Sequence, residues 1–228
     1  MSLDLYAIIE PYLGFDEEKE FLHDIYLEKL KHLNAKKVLD IGCGSGSFLL
    51  KAKKNGIDIE GIDLSKEMVK RALEKGVSAK AIDLCKLEKK YDAAVAIFDV
   101  LNYLDKKEIK RFLKCVDNVL VDGGYFICDI NTLYGFKEVA QGVIAIDKED
   151  RYIVLDAEFE KNILLTKIDY FEKVENCYKK YSGFIKQYYH EIDQLKEVKN
   201  LKIVDIDFVA LYSDISDKAI LIYKKGKI

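Results

Sequence analysis

The sequence predicts a doubly wound α/β sheet carrying a small antiparallel β insertion. Three observations lead there. Over about the first 130 residues, five short apolar runs alternate with amphipathic, helix-spaced stretches. A glycine-rich turn, Gly42-Cys43-Gly44-Ser45-Gly46, closes the first of those runs. From Gly142 the texture changes to longer runs in which aromatic and β-branched residues alternate with polar ones. The chain has 228 residues, 50% of them hydrophobic, which is enough to fill a sizeable core.

Each element follows from local pattern. Asp16 suits an N-cap, and Phe21, Ile25, Leu30 and Leu33 recur near helical spacing, so residues 1–35 read as helices. His23 and His32 read as solvated on that charged surface. Lys37 to Ile41 is a short apolar run suited to a buried parallel strand. Helical spacing from Phe48 to Lys54 stops at Asn55-Gly56. Ile57 to Asp63 is a second strand, and Ser65 caps a helix that ends near Gly76. Val77–Ile82 and Tyr91–Phe98 are the third and fourth strands, Lys106–Leu120 a helix, and Tyr125–Asp129 the fifth strand after Asp122-Gly123-Gly124. The insertion strands are Val143–Ile146, Tyr152–Phe159, Ile163–Phe171 and Tyr178–Tyr189. A helix near Glu191 to Val198 and strands Leu201–Tyr212 and Lys218–Tyr223 resume the core pattern. Lys224, Lys225 and Lys227 read as a solvated end.

The whole reads as a single domain, residues 1–228. It has N-terminal helices over 1–35, an α/β core over 36–142, the insertion over 143–190 and the end of the core sheet over 191–228. The net charge of −3 argues against a broad footprint for nucleic acid or anionic membrane. Five scattered cysteines without a C-x-x-C pair suit reduced thiols rather than a disulfide framework or a zinc site. Met1 to Leu5 lacks the basic start of a secretory signal, and no apolar run is long enough to span a bilayer. A cytoplasmic location is expected; oligomeric state is not readable.

The chemistry concentrates at strand ends. Glycines at a strand–helix turn let a ligand approach the backbone, and the following helix aims its free N–H groups there. The third glycine, Gly46, comes one residue earlier than in a dinucleotide fingerprint, and Asp40 precedes the first. A carboxylate there repels a pyrophosphate and suits a cationic ligand. Asp63, seventeen residues after Gly46, ends the second strand, where an acid accepts from vicinal ribose hydroxyls. Asp83 follows the third strand and could accept from an adenine amine; Phe98-Asp99-Val100-Leu101-Asn102-Tyr103 follows the fourth.

Taken together, Asp40-Ile41-Gly42-Cys43-Gly44-Ser45-Gly46 and Gly61-Ile62-Asp63-Leu64-Ser65 resemble the class I S-adenosylmethionine-dependent methyltransferases of the small-molecule type. Tyr91-Asp92-Ala93-Ala94-Val95 and Asp122-Gly123-Gly124-Tyr125-Phe126 extend the resemblance, which covers about Lys37 to Asn131. It implies a seven-stranded, mostly parallel, Rossmann-like sheet with a reversed hairpin at its edge, fitting Leu201–Tyr223. It implies S-adenosylmethionine as cofactor, bound by the core, and no metal. The Gly42 carbonyl and the Asp40 region would hold the methionine ammonium, with Gly44 and Gly46 giving clearance. Asp63 would take the ribose, Leu64 the adenine face, Asp83 the adenine amine and the Leu84 N–H a ring nitrogen. The Phe98 carbonyl would close over the methionine end, and Tyr6 and Tyr12 could fold over the donor as a lid. The insertion would roof the pocket of a small-molecule acceptor, methylated at O, N or C by in-line displacement.

No catalytic residue is fixed by motif. His190, with Tyr189 beside it, is a candidate base or substrate contact; the ordinary alternative is a capping or buried histidine. Tyr103 and Asn131 qualify by following the fourth and fifth strands. The rival readings are a nicotinamide site, a non-catalytic S-adenosylmethionine-binding or partner-docking protein, and a methyltransferase acting on RNA or protein.

Overall fold

The computed structural model describes residues 2–226. The chain runs α1 (Ser2–Ile9), α2 (Asp16–His32), β1 (Lys37–Ile41), α3 (Ser47–Lys54), β2 (Asp58–Asp63), α4 (Lys66–Glu74), β3 (Ala79–Ala81), β4 (Tyr91–Ala96), α5 (Lys106–Val119) and β5 (Leu120–Asn131). Four antiparallel strands follow: β6 (Gly142–Lys148), β7 (Arg151–Glu160), β8 (Ile163–Val174) and β9 (Cys177–Tyr188). Then β10 (Glu197–Val198), β11 (Leu201–Val209) and β12 (Lys218–Lys225) complete the first sheet.

That sheet has the order β10-β11-β12-β5-β4-β1-β2-β3, with β1 to β5 parallel and β10 to β12 antiparallel at one side. It is the doubly wound fold that the sequence predicts, with one addition: β10 makes an eighth, two-residue edge strand. Side-chain alternation explains why helices cover both faces. On β1, Val38 joins Leu22, Tyr26 and Leu30 of α2 and Phe48 of α3, whereas Leu39 and Ile41 join Ile109, Leu113 and Val116 of α5. α5 starts on a reciprocal cap: Asp105 accepts from the Lys107 and Glu108 N–H groups at 2.7 and 2.8 Å, and Glu108 accepts from the Asp105 N–H at 2.9 Å. The inner face of the second sheet (Ile153, Leu155, Ile168, Tyr170, Ile185) packs on Leu5, Ile9 and Leu13. The N-terminal segment is thereby fixed to the insertion.

Several expectations are corrected. Glu191–Val198 is not a helix but a 3₁₀ turn, Ile192–Gln194, followed by β10. Ile192, Leu195 and Val198 still face the core, so their helical spacing is met by another backbone path. The buried face of α2 is Leu22, His23, Tyr26, Leu27 and Leu30, one position away from the expected stripe, and Phe21 is exposed. His23 is therefore buried against the Phe48 and Phe98 rings, not solvated. Lys225 is also buried and donates to the Asp117 and Leu120 carbonyls at 2.9 and 3.0 Å. Lys227 lies outside the described residues. Cys85 and Cys115 form a disulfide between the turn after β3 and α5, against the expectation of reduced thiols throughout; Cys43, Cys128 and Cys177 are free.

Candidate functional site

Strand order reverses between β1 and β4, and in such sheets a crevice opens beyond the carboxyl ends there. The glycine turn lies on the β1 side. The Gly42 and Cys43 N–H groups donate to the Ile62 carbonyl at 2.8 and 3.0 Å, tying the turn to the end of β2. Gly44 has φ +52°, and a Cβ there would meet nothing within 4 Å, so this face of the turn is open. Gly46 has a different reason to be glycine. A Cβ there would press on Val77 and Ala72 at 2.8 and 2.9 Å, so it clears the packing of α3 on α4 rather than a ligand.

Two carboxylates meet at this turn. Asp63 accepts from the Gly44 N–H at 2.9 Å and the Ser65 N–H at 2.8 Å, which fixes its orientation and leaves further lone pairs. Asp40 is 2% exposed and pairs with no cation among the described residues. Burial, and then the Asp63 charge, push its carboxyl up to about 8. Leu64 is 77% exposed, a large apolar side chain held open at the end of β2. Asp83 caps the turn after β3 through the Cys85 N–H at 2.8 Å and meets Arg111 at 3.3 Å, so both its oxygens have protein partners. Leu84 is buried in the core beneath it.

The N-terminal segment lies beside these loops. Arg71 of α4 donates to the Ala7 carbonyl at 3.2 Å, and the Ser65 hydroxyl reaches Asp4 at 3.3 Å. Tyr12 stacks under the Arg151 guanidinium of β7 at 4.1 Å. Tyr6 is deeply enclosed, and burial, then the nearby Asp99 carboxylate, raise its phenol above the usual tyrosine range.

On the β4–β5 side the structure joins residues that the sequence marks, Phe98, Asp99, Asn102 and Asn131, to others that it does not, Tyr26, Asp129, Gln187 and Lys218. Phe98 and Asp99 both take positive φ, +64° and +50°. Their N–H groups donate to the two oxygens of Asp129 at 2.8 and 2.9 Å. Tyr26 donates to the same carboxylate at 2.9 Å. Lys218, wholly buried at the start of β12, donates to Asp129 and Asn131, each at 2.9 Å, and pairs with Asp99. Burial alone would push its ammonium down; Asp129 and Asp99 outweigh it and hold it above the usual lysine range. Gln187 of β9 donates to the other Asp99 oxygen at 2.7 Å. Asn102 accepts from the Asn131 N–H at 2.9 Å and donates to the Tyr188 carbonyl at 2.8 Å. The insertion is thus fastened to the carboxyl end of the parallel strands by two side chains of one loop, Asp99 and Asn102.

Of the remaining candidates, Tyr103 lies near Tyr6 and Asp99, and burial first, then Asp99, keep its phenol protonated. Asn131 belongs to the Lys218 cluster. His190 does not face it openly: the ring is 3% exposed, Nε2 lies 3.0 Å from the Leu104 carbonyl, and burial lowers its pKa. Tyr189 packs edge-on against Phe136 at 6.1 Å.

Comparison with known proteins agrees with this geometry. Residues 38–124 match a family described as a methyltransferase domain. An uncharacterized protein of Methanocaldococcus jannaschii is 34% identical over 160 residues, 64% of this chain and 61% of that protein; the chain thus spans about three fifths of that relative's length. By fold, the chain is similar to an S-adenosylmethionine-dependent methyltransferase from Clostridium acetobutylicum (TM-score 0.78, 23% identity, 99% of this chain and 98% of that one). It is also similar to the sugar N-methyltransferase KedS8 from Streptoalloteichus (TM-score 0.75, 15% identity, 100% and 94%). Residues 38–124 therefore match a methyltransferase-domain family, and the chain as a whole has a fold similar to that of an S-adenosylmethionine-dependent methyltransferase.

Proposed function

We propose that this protein transfers a methyl group from S-adenosylmethionine to a small-molecule nucleophile. The observation that carries the reading is the pair Asp40 and Asp63 at the glycine turn. One is a buried carboxylate without a cation, and the other is an acceptor already oriented by two backbone N–H groups. A pyrophosphate would be repelled by the Asp63 charge, whereas an ammonium that draws Asp40 into its ionised form and a ribose diol on Asp63 are accommodated. Leu64 would offer its exposed face to the adenine, with Asp83 and the Leu84 N–H at the ring edge. The Gly42 and Phe98 carbonyls would flank the methionine end, Gly44 and Gly46 would shape the turn, and Tyr6 and Tyr12 would cover it. When bound, S-adenosylmethionine supplies a methyl already activated on a sulfonium. The protein's task is then alignment and exclusion of water, and positioning of this kind can supply roughly 7–11 kcal/mol of a barrier. The acceptor side is closed by the insertion through Gln187 and Asn102. The named function of KedS8 supports a small-molecule acceptor.

Titration calorimetry tests the reading. S-adenosylhomocysteine should bind and NAD should not. Asp63→Ala should weaken the former by about 1–3 kcal/mol, since it removes the acceptor of a buried hydroxyl pair. Binding of NAD alone, or unchanged affinity in Asp63→Ala, would refute it.

A further inference from the structure

Beyond the carboxyl ends of β4 and β5, on the side of the crevice away from the glycine turn, aromatic and charged side chains gather around Asp99 and mark out a second chamber of the site. Tyr6 of α1 and Tyr103, at the end of the turn that Asp99 begins, pack with Phe15 on the inner cluster of the second sheet, and Tyr212 after β11 lies edge-on to Phe15. The Asp99 charge acts on all three phenols, each of which burial and that charge keep protonated. All three retain some accessible surface; Tyr212, edge-on to Phe15 at 5.4 Å, is 37% exposed and forms the rim. At the floor stand two carboxylates, Asp99 and Asp129, and among the described residues the one cation paired with either is Lys218. Asp129 is 0% exposed at its side chain and occupied by four donors. Asp99 keeps 16% of its side chain accessible. The chamber therefore presents a fixed negative charge and protonated aromatic walls, with no histidine turned towards it: His190 is engaged on Leu104, and His23 is sealed between Phe48 and Phe98.

We propose that this chamber is the acceptor subsite and that it takes an amine, with Asp99 as the group facing the reacting nitrogen and Lys218 and Gln187 as positioning residues. The inference rests on the methyl-transfer reading above and deepens it. In N-methylation of a neutral amine, the nitrogen lone pair forms the new N–C bond while the C–S pair stays on sulfur. A sulfonium becomes a thioether and the amine becomes an ammonium, whose proton later leaves to solvent. Positive charge thus passes from sulfur to nitrogen. A preoriented carboxylate on the nitrogen side stabilises the charge as it develops, and tyrosine faces favour the same cation. An alkoxide, phenolate or carboxylate acceptor would instead bring a second negative charge to Asp99.

The test is a panel of matched pairs, each an amine and the hydroxyl compound of the same skeleton, amino sugars included. Binding is measured by calorimetry to protein saturated with S-adenosylhomocysteine, and turnover with S-adenosylmethionine. Amines should bind at least tenfold more tightly than their hydroxyl partners and be the compounds methylated. Asp99→Asn should abolish that preference while the affinity for S-adenosylhomocysteine stays within twofold. Tyr212→Ala at the rim should weaken amine binding several-fold, and Tyr212→Phe should restore it. The proposal is overturned if hydroxyl partners bind or react as well as the amines, if no amine in the panel binds, or if Tyr212→Ala and Asp99→Asn both leave amine binding intact. Failure of S-adenosylhomocysteine itself to bind the unmodified protein would strike the methyl-transfer reading instead.

Discussion

Lys218 at the start of β12 and Asp99 in the loop after β4 are 119 residues apart in sequence and form an ion pair in the interior. The pair exists because β12 runs antiparallel to β5, with Lys218 opposite Asn131 at the end where the parallel strands finish. One ammonium then serves Asp99, Asp129 and Asn131 together.

Removing that ammonium leaves two enclosed carboxylates facing each other. Lys218→Met should cost about 3–5 kcal/mol, the range for breaking a buried pair from one side. Lys29→Met, which removes a partly exposed pair with Asp207, should cost about 0–1 kcal/mol. Urea unfolding of the two variants makes the comparison, and equal costs would contradict the assignment.

Asp40 gives a proton-linked signature. Its folded pKa of about 8 lies above the unfolded carboxyl value, so its contribution to stability is present in acid and is lost as pH rises through 8. A ligand ammonium beside it favours the ionised form. Binding of S-adenosylhomocysteine at pH 6.5 should therefore release a proton. Calorimetry in buffers of different ionisation enthalpy reads this directly, and Asp40→Asn should abolish the release.

His23 has the opposite sign. Burial first lowers its pKa to about 4, so the neutral ring stabilises the fold above pH 6.5, and that contribution is lost as pH falls through 4. The shift corresponds to at most ~3 kcal/mol. Denaturation midpoints followed from pH 7 to 4 should fall more steeply for the native protein than for His23→Leu. Parallel profiles would show that the ring does not titrate in this way.

The Cys85–Cys115 disulfide closes a span of 30 residues. Loop entropy assigns such a link about 3–4 kcal/mol, or roughly 5–15 °C in melting temperature for a chain this long. Melting with and without reductant should differ by that much, and Cys85→Ser should erase the difference.

The parts of the fold that were legible in the sequence have local causes. β1 and the glycine turn, the Ser65 cap of α4, the amphipathic face of α5 and the four insertion strands all follow from spacing within one segment. What escaped depends on contacts between segments. Lys218 and Lys225 look like surface lysines because their partners, Asp99, Asp129, Asp117 and Leu120, lie some ninety residues or more away. His23 is hidden because the spacing of Phe21 and Ile25 sets the apolar stripe one position away from the face that α2 buries. The Glu191–Val198 segment misled for another reason: its apolar spacing is satisfied by a turn at Lys199, φ +57°, that folds β10 onto β11. Gly46 was legible as a necessary glycine, but its necessity comes from Ala72 and Val77.

The central claim is that the turn at Gly42–Gly46, flanked by Asp40 and Asp63, holds an adenine nucleoside that carries an ammonium group. A crystal structure grown with S-adenosylhomocysteine tests it most directly. The account predicts the ribose diol on Asp63, the adenine against Leu64 and the amino group beside Asp40 and the Gly42 carbonyl. Electron density for the compound elsewhere, or a crevice closed by protein side chains at saturating compound, would contradict it.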